Sequence, residues 1–237
     1  MQLDETNVIS GNYYIKCLVN NRVYPGKALN IHERINQHVF NCNNFLRKKE
    51  PIDLLVDWHQ YGGKKNFEWG IIRESKSTEL PYEIDVKNRF WELKYIYEIY
   101  PSQGIETYNK KSDHDRLLFH YMKQIHFIFK WDIKFVQQDI DGLNKGGTKL
   151  DLFTLDEEGI PHCWDFHDPN EIPLNGDINT YTKHKNFCDQ RGIVFFNTDP
   201  NRLKPGYVEP KETHVFNIVI DNFNVKGDST YPAGWLD

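Results

Sequence analysis

The sequence predicts a mixed α/β protein, with a small β-β-α-α-β-α domain over residues 1–112 and a second mixed α/β domain over residues 113–237. Three observations predict it. An aromatic, β-branched run near the N-terminus is followed at once by an asparagine-rich turn and a returning extended segment. Apolar residues at helical spacing then recur in segments bounded by Asn, Pro and Gly. Finally, the polar stretch Lys110–Asp115 separates these segments from a new helix and a new series of strands.

Taken in order, Asn12–Leu18 (NYYIKCL) reads as a strand, Val19–Arg22 as a tight turn, and Val23-Tyr24 as the start of the return strand, ended by Pro25-Gly26. Asn30 stands three residues before Glu33 and predicts an N-cap with a capping-box partner. The helix it opens places Ile31, Ile35 and Val39 on one face and Arg34 and His38 on another. Pro51–Tyr61 is a second helix stopped by Gly62-Gly63, Asn66–Arg73 a strand, and Asp85–Tyr100 a third helix ended by Pro101 and Gly104. A short extended piece, Glu106–Asn109, closes the domain. Beyond it, Arg116–Trp131 reads as an amphipathic helix. Strands are expected at Ile133–Gln137, Lys149–Leu155 and Pro161–His167, then a helix at Ile178–Arg191 and strands at Gly192–Thr198 and Val215–Ile220.

Composition is that of a globular chain, 39 % hydrophobic and 27 % charged. No apolar run reaches the roughly 18 residues of a membrane span, and Met1–Ser10 lacks the basic-then-apolar order of a signal peptide. Four sparse cysteines without a CxxC pair fit a reduced, cytoplasmic setting. The net charge of −5 argues against a bulk polyanion binder, but it is unevenly spread. Residues 1–112 carry 16 Lys+Arg against 14 Asp+Glu, and the remainder 13 against 20. Arg47-Lys48-Lys49, Lys64-Lys65 and Lys110-Lys111 are therefore local places where phosphates could be met, although each cluster taken singly reads as a solvated surface.

The chemistry-bearing residues fall into one ordered set. Gly11-Asn12-Tyr13 is followed, eleven residues after Tyr13, by Tyr24-Pro25-Gly26. Next comes Lys27-Ala28-Leu29-Asn30-Ile31-His32-Glu33-Arg34, with Arg34 ten residues after Tyr24 and His38 four residues further on. Tyr61-Gly62, Asn66-Phe67-Glu68, Glu92–Ile96 and Tyr108-Asn109 complete the series. In this order and at these spacings the set resembles the GIY-YIG endonucleases, from about Gly11 to Asn109. Asn12 and Pro25 depart from the family's isoleucines, at positions that pack rather than react, and Pro25 suggests an edge or a bulge.

The resemblance implies a metal-dependent DNA endonuclease, restriction-like or of the phage or mobile-element type, using Mg2+ or Mn2+. It implies Tyr13 as base or water-orienter, Tyr24 as its support and Arg34 as phosphate clamp. Glu92 would be the metal ligand, His38 an auxiliary proton or phosphate contact, and Asn109 a brace. Lys27, Arg34, Lys48, Lys64 and Lys65 would meet DNA, and cutting both strands would call for a homodimer. A catalytically inactive nucleic-acid-binding or regulatory module is the alternative.

Independently of the resemblance, phosphodiester hydrolysis needs an activated water and neutralisation of developing charge. Tyr13 and Tyr24 on paired strands can offer two phenol oxygens to one spot. A tyrosine ordinarily titrates near ~10, so acting as a base requires a nearby cation, with Lys27 and Arg34 as candidates. A single carboxylate such as Glu92 suits Mg2+, which keeps several waters, and Glu98 is a rival on the same helix.

In the second half, Asp151 and the pair Asp165-x-His167 faintly resemble the PD-(D/E)xK nuclease core and mark a second candidate site, with His in place of the usual Lys. At period two, Asp165 and His167 point to one face. A zinc set is the other reading there: His184 and Cys188 have helical ligand spacing. Cys163 and His167, on a strand, would lie ~13 Å apart.

Overall fold

A computed structural model describes residues 8–76, 79–110, 112–138, 150–170, 172–173 and 178–197. The strand expected at Val215–Ile220 lies outside the described residues, as do Lys111, Lys149 and Thr198. The chain divides into two compact units, Met1–Ser112 and Asp113–Asp237.

The first unit runs β1 (Gly11–Cys17), β2 (Val23–Ala28), α1 (Ile31–Asn43), α2 (Ile52–Gln60), β3 (Phe67–Glu74) and α3 (Pro81–Lys94). A π-helical turn (Tyr95–Ile99) carries α3 into a final turn, α4 (Tyr100–Ser102). This is the expected mixed α/β order, with the third helix beginning four residues earlier than its apolar spacing suggests. Pro81 supplies a pre-set first helical residue, and the Glu83 carboxylate accepts from the Leu80 amide at 2.9 Å.

The sheet has the order β2-β1-β3, antiparallel throughout. Pro25 therefore sits on an edge strand, where its missing N–H breaks no ladder. Its carbonyl accepts from Asn109 Nδ2 at 3.0 Å, because the segment around Thr107 runs parallel to Val23. Asn12, the other departure, is fully buried and donates to the Asn88 carbonyl of α3 at 2.8 Å. Opposite Asn12 and Tyr13, β3 carries a bulge between Ile71 and Arg73. Tyr13, Ile15 and Cys17 of β1 join Ile31, Ile35, Val39 and Cys42 of α1, Leu54, Leu55 and Trp58 of α2, and Tyr108 in one core. Asn30 caps α1 by accepting from the Glu33 amide at 3.2 Å; the reciprocal bond is replaced by Asn30 Nδ2 to the Glu33 carboxylate.

Two glycines are required by close approach. Gly11 has φ +149°, and a Cβ there would lie 1.9 Å from the Arg73 carbonyl oxygen. At Gly26 a Cβ would come within 2.5 Å of Tyr13 Cζ and Oη.

The second unit runs α5 (Asp113–Gln124) with a π-helical extension (Ile125–Phe129), β4 (Asp132–Gln138), β5 (Leu150–Leu155), β6 (Pro161–Asp165), α6 (Thr180–Arg191) and β7 (Val194–Asn197). Its sheet has the order β4-β5-β6-β7, with only β6–β7 parallel, so α6 is the crossover between them. Asn179 caps α6 by accepting from the Thr182 amide, and Gly192 ends it at φ +65°. Tyr121 on α5 packs on Trp164 and Phe166, with ring centroids 5.6 and 5.4 Å away.

Burial holds the His120 imidazole down at about 4, with Lys123 adding to the effect. A histidine whose folded value is depressed stabilises the fold above its unfolded value of about 6.5 and loses that contribution as pH falls toward the folded one. Through this ring the second unit should therefore lose up to about 3 kcal/mol between pH ~6.5 and ~4, with carboxylates adding only at the acid end of the window. Urea unfolding across this range should show the loss, and His120→Gln should flatten it; an equally steep profile in the variant would refute the assignment.

Among the described residues no helix is long and apolar enough to cross a membrane. Cys17, Cys42, Cys163 and Cys188 are buried free thiols.

Candidate active site

The antiparallel register puts Tyr13 opposite Gly26 and Ile15 opposite Tyr24. Tyr13 and Tyr24 are thus diagonal neighbours on one face of the hairpin. The missing side chain at Gly26 lets the Tyr13 ring lie across β2 toward α1.

There its hydroxyl meets His38 Nε2 at 2.7 Å. On the other side of the ring, His38 Nδ1 lies 2.6 Å from Glu50 Oε2, and Glu50 Oε1 accepts from Asn41 Nδ2 at 2.7 Å. Glu50 is acceptor-only when ionised, so His38 donates from Nδ1 and accepts the phenol proton at Nε2. Tyr13 and His38 are 1 % and 0 % exposed, and Glu50 5 %. The Tyr24 ring packs edge-on against His38, 5.0 Å between centroids.

Arg34 lies one helical turn before His38 and is half-buried. Its guanidinium acts on both phenols, opposing the rise of their pKa, and Nη1 donates to Gln37 at 2.9 Å. Burial alone would lower its pKa, but the phenols of Tyr13 and Tyr24 and the Glu50 carboxylate more than offset this. The charge is therefore permanent. From α3, Glu92 acts electrostatically on both Tyr13 and Tyr24. Its Oε2 accepts from Arg89 Nη1 at 2.8 Å.

The expectation that cations would lower the Tyr13 phenol is overturned. Burial pushes it well above the ordinary tyrosine value, Tyr24 adds to this, and Arg34 only partly opposes it. Tyr24 is raised likewise, by burial and by Glu92 and Glu50. Lys27 does not act on the phenol; its ammonium pairs with Asp85 at 2.5 Å. His38 is buried behind Tyr13, out of reach of a phosphate, and offers only a proton role. Glu50 was missed in the sequence. Asn109 fixes β2 through the Pro25 carbonyl rather than touching the phenols. Lys48, Lys64 and Lys65 are exposed.

The structure thus brings Tyr13, Tyr24, His38 and Glu50 together, with Arg34 and Glu92 near enough to act electrostatically on both phenols. Two phenols, a fixed guanidinium, a buried imidazole–carboxylate pair and an acid from the third helix stand in the order and spacing of the motifs. Residues 10–88 match the GIY-YIG catalytic domain. That span contains Tyr13, Tyr24, Arg34, His38 and Glu50, while Glu92 and Asn109 lie beyond it. Among solved structures, a point mutant of the catalytic domain of intron endonuclease I-TevI is similar, at 25 % identity, TM-score 0.34, 44 % of this chain and 97 % of that one. No curated protein matches the chain significantly. The GIY-YIG match supports a nuclease of that type.

In the second unit, Asp151, Asp165 and His167 also come together, joined by His184. The zinc set does not form as spaced: Cys163 and Cys188 meet each other in the core, and the two histidines turn to the aspartates instead.

Proposed function

We propose that the chain is a metal-dependent DNA endonuclease that hydrolyses phosphodiester bonds, of the restriction-like or phage and mobile-element kind. The observation that carries this reading is the unbroken path Tyr13–His38–Glu50 beside Arg34 and Glu92.

A phenol raised by burial does not lose its proton on its own at neutral pH. The path supplies the acceptor. As a water attacks phosphorus, its proton passes to the Tyr13 oxygen while the Tyr13 proton moves to His38 Nε2 and Glu50 stabilises the imidazolium; the bond to the bridging oxygen breaks, and that oxygen takes a proton from solvent. Tyr24 walls the ring of His38 and borders the same spot. Arg34 grips the phosphate oxygens with its planar fork. Glu92 Oε2 is occupied by Arg89, and Oε1 takes no protein donor among the described residues. One half-occupied carboxylate fits Mg2+ or Mn2+, whose remaining ligands would be waters and substrate oxygens. When bound, such an ion supplies neutralisation of the charge that develops on the phosphate.

Exposed Lys48, Lys64 and Lys65 give DNA a salt-sensitive grip despite the acidic balance of the whole chain. One such site cuts one strand at a time, so cleaving both favours two copies. The alternative, an inactive nucleic-acid-binding module, is favoured by the near-complete burial of Tyr13.

Supercoiled plasmid incubated with the protein distinguishes the two. Mg2+ or Mn2+ should convert it to nicked or linear forms, and EDTA should stop the conversion. Folded protein that retards DNA but never cuts it with either ion would leave the binding module.

A further inference from the structure

Away from the hairpin, the second unit contains a buried cluster that the nuclease reading does not use. Asp151 on β5 is 3 % exposed, Asp165 at the end of β6 is 0 %, and His184 in the middle of α6 is 0 %. His167, two residues past Asp165, completes it. A ligand-capable atom from each of the four lies within 4.8 Å of all the others.

Their geometry is convergent. Asp165 Oδ1 lies 2.5 Å from His184 Nδ1 and 3.0 Å from His167 Nδ1. His167 Nδ1 is in turn 3.2 Å from Asp151 Oδ2. Two imidazole nitrogens and two carboxylate oxygens thus crowd one point, from three different elements and the turn after β6. The outer shell is already built. Asp151 Oδ1 is met by His114 Nε2 at 2.8 Å, and its Oδ2 accepts from the Phe166 amide at 3.0 Å. Asp165 Oδ2 accepts from Asn197 Nδ2 at 3.0 Å and from the His167 amide at 3.2 Å.

Two aspartates this deeply buried need compensation by protons or by a cation. Among the described residues His184 Nε2 is buried without a hydrogen-bond partner, and the ring's other nitrogen faces the cluster. One divalent ion between the four atoms replaces the imidazole protons and neutralises both carboxylates.

We propose that Asp151, Asp165, His167 and His184 form a metal site in the second unit. A set of two nitrogens and two oxygens selects a first-row transition ion such as Mn2+, Co2+ or Zn2+ over Mg2+, which takes oxygen ligands. His114 is a positioning residue that orients Asp151. The side chain of His167 is 26 % exposed and marks the side from which an ion and an exchangeable ligand enter.

The test is titration of the full-length Glu92→Gln chain with Co2+, which removes the proposed ligand of the first unit and needs no DNA. One equivalent should bind and give visible absorption bands typical of nitrogen and oxygen ligation. Zn2+ should displace it, and millimolar Mg2+ should not. Asp165→Asn and His184→Gln should abolish the bands with an unchanged circular dichroism spectrum. Should either fail to fold, His167→Asn at its half-exposed position carries the test and should weaken binding by at least about 10-fold. Absence of Co2+ binding by the folded Glu92→Gln chain, or bands that survive in His167→Asn and Asp151→Asn, would overturn the site. Plasmid cleavage is not read in any arm, so this result stands or falls separately from the nuclease assignment.

Discussion

Replacing Glu50 by glutamine is expected to slow plasmid nicking by roughly 10²- to 10⁴-fold while leaving the fold intact. The carboxylate has two oxygens, and both are in use: one takes the His38 Nδ1 proton, the other the Asn41 amide. Glutamine offers a single acceptor. Either His38 or Asn41 must then face an N–H donor, and the imidazolium formed during the reaction loses its counter-charge. Single-turnover nicking should fall at constant DNA affinity. A bystander acid, kept only for packing, would instead lower the unfolding midpoint and leave the rate of the folded fraction unchanged. That pattern would remove the relay from the mechanism.

Glu92→Ala should have the larger effect, abolishing Mg2+-dependent nicking by at least roughly 10³-fold. Its carboxylate acts on both phenols, and its second oxygen takes no donor among the described residues. DNA binding should persist or tighten, because the substitution removes a negative charge beside Arg89. Fluorescence anisotropy with a duplex, measured over a salt series, separates the two effects. Cleavage at the wild-type rate by the variant would show that the ion is held elsewhere.

Much of this was legible in the sequence, because it depends on local chemistry. The turn at Val19–Arg22, the Asn30 cap and the glycine pair after α2 each act within a few residues, and the elements they delimit appear where expected. The convergence of Tyr13, Tyr24, Arg34 and Glu92 was legible from ordered motifs. Glu50 was not, and the reason is spatial. It follows Arg47-Lys48-Lys49, a run that reads as solvated surface, and only a chain reversal at Phe45, with φ +52°, turns it back beneath α1. The state of the phenols was hidden for a related reason: the cations nearby are visible in sequence, the burial that outweighs them is not. His184 was read with Cys188 at helical spacing, yet the two separate, one toward Asp165 and the other into the core with Cys163.

The strap formed by Thr107, Tyr108 and Asn109 has a practical consequence for anyone wishing to graft the first unit onto another protein. Tyr108 donates its hydroxyl to Asp57 at 2.7 Å, and Asn109 holds the Pro25 carbonyl. A fragment trimmed at residue 88, where the family match stops, would forfeit this buckle along with the acid of the third helix. A portable version has to retain the polypeptide through Asn109.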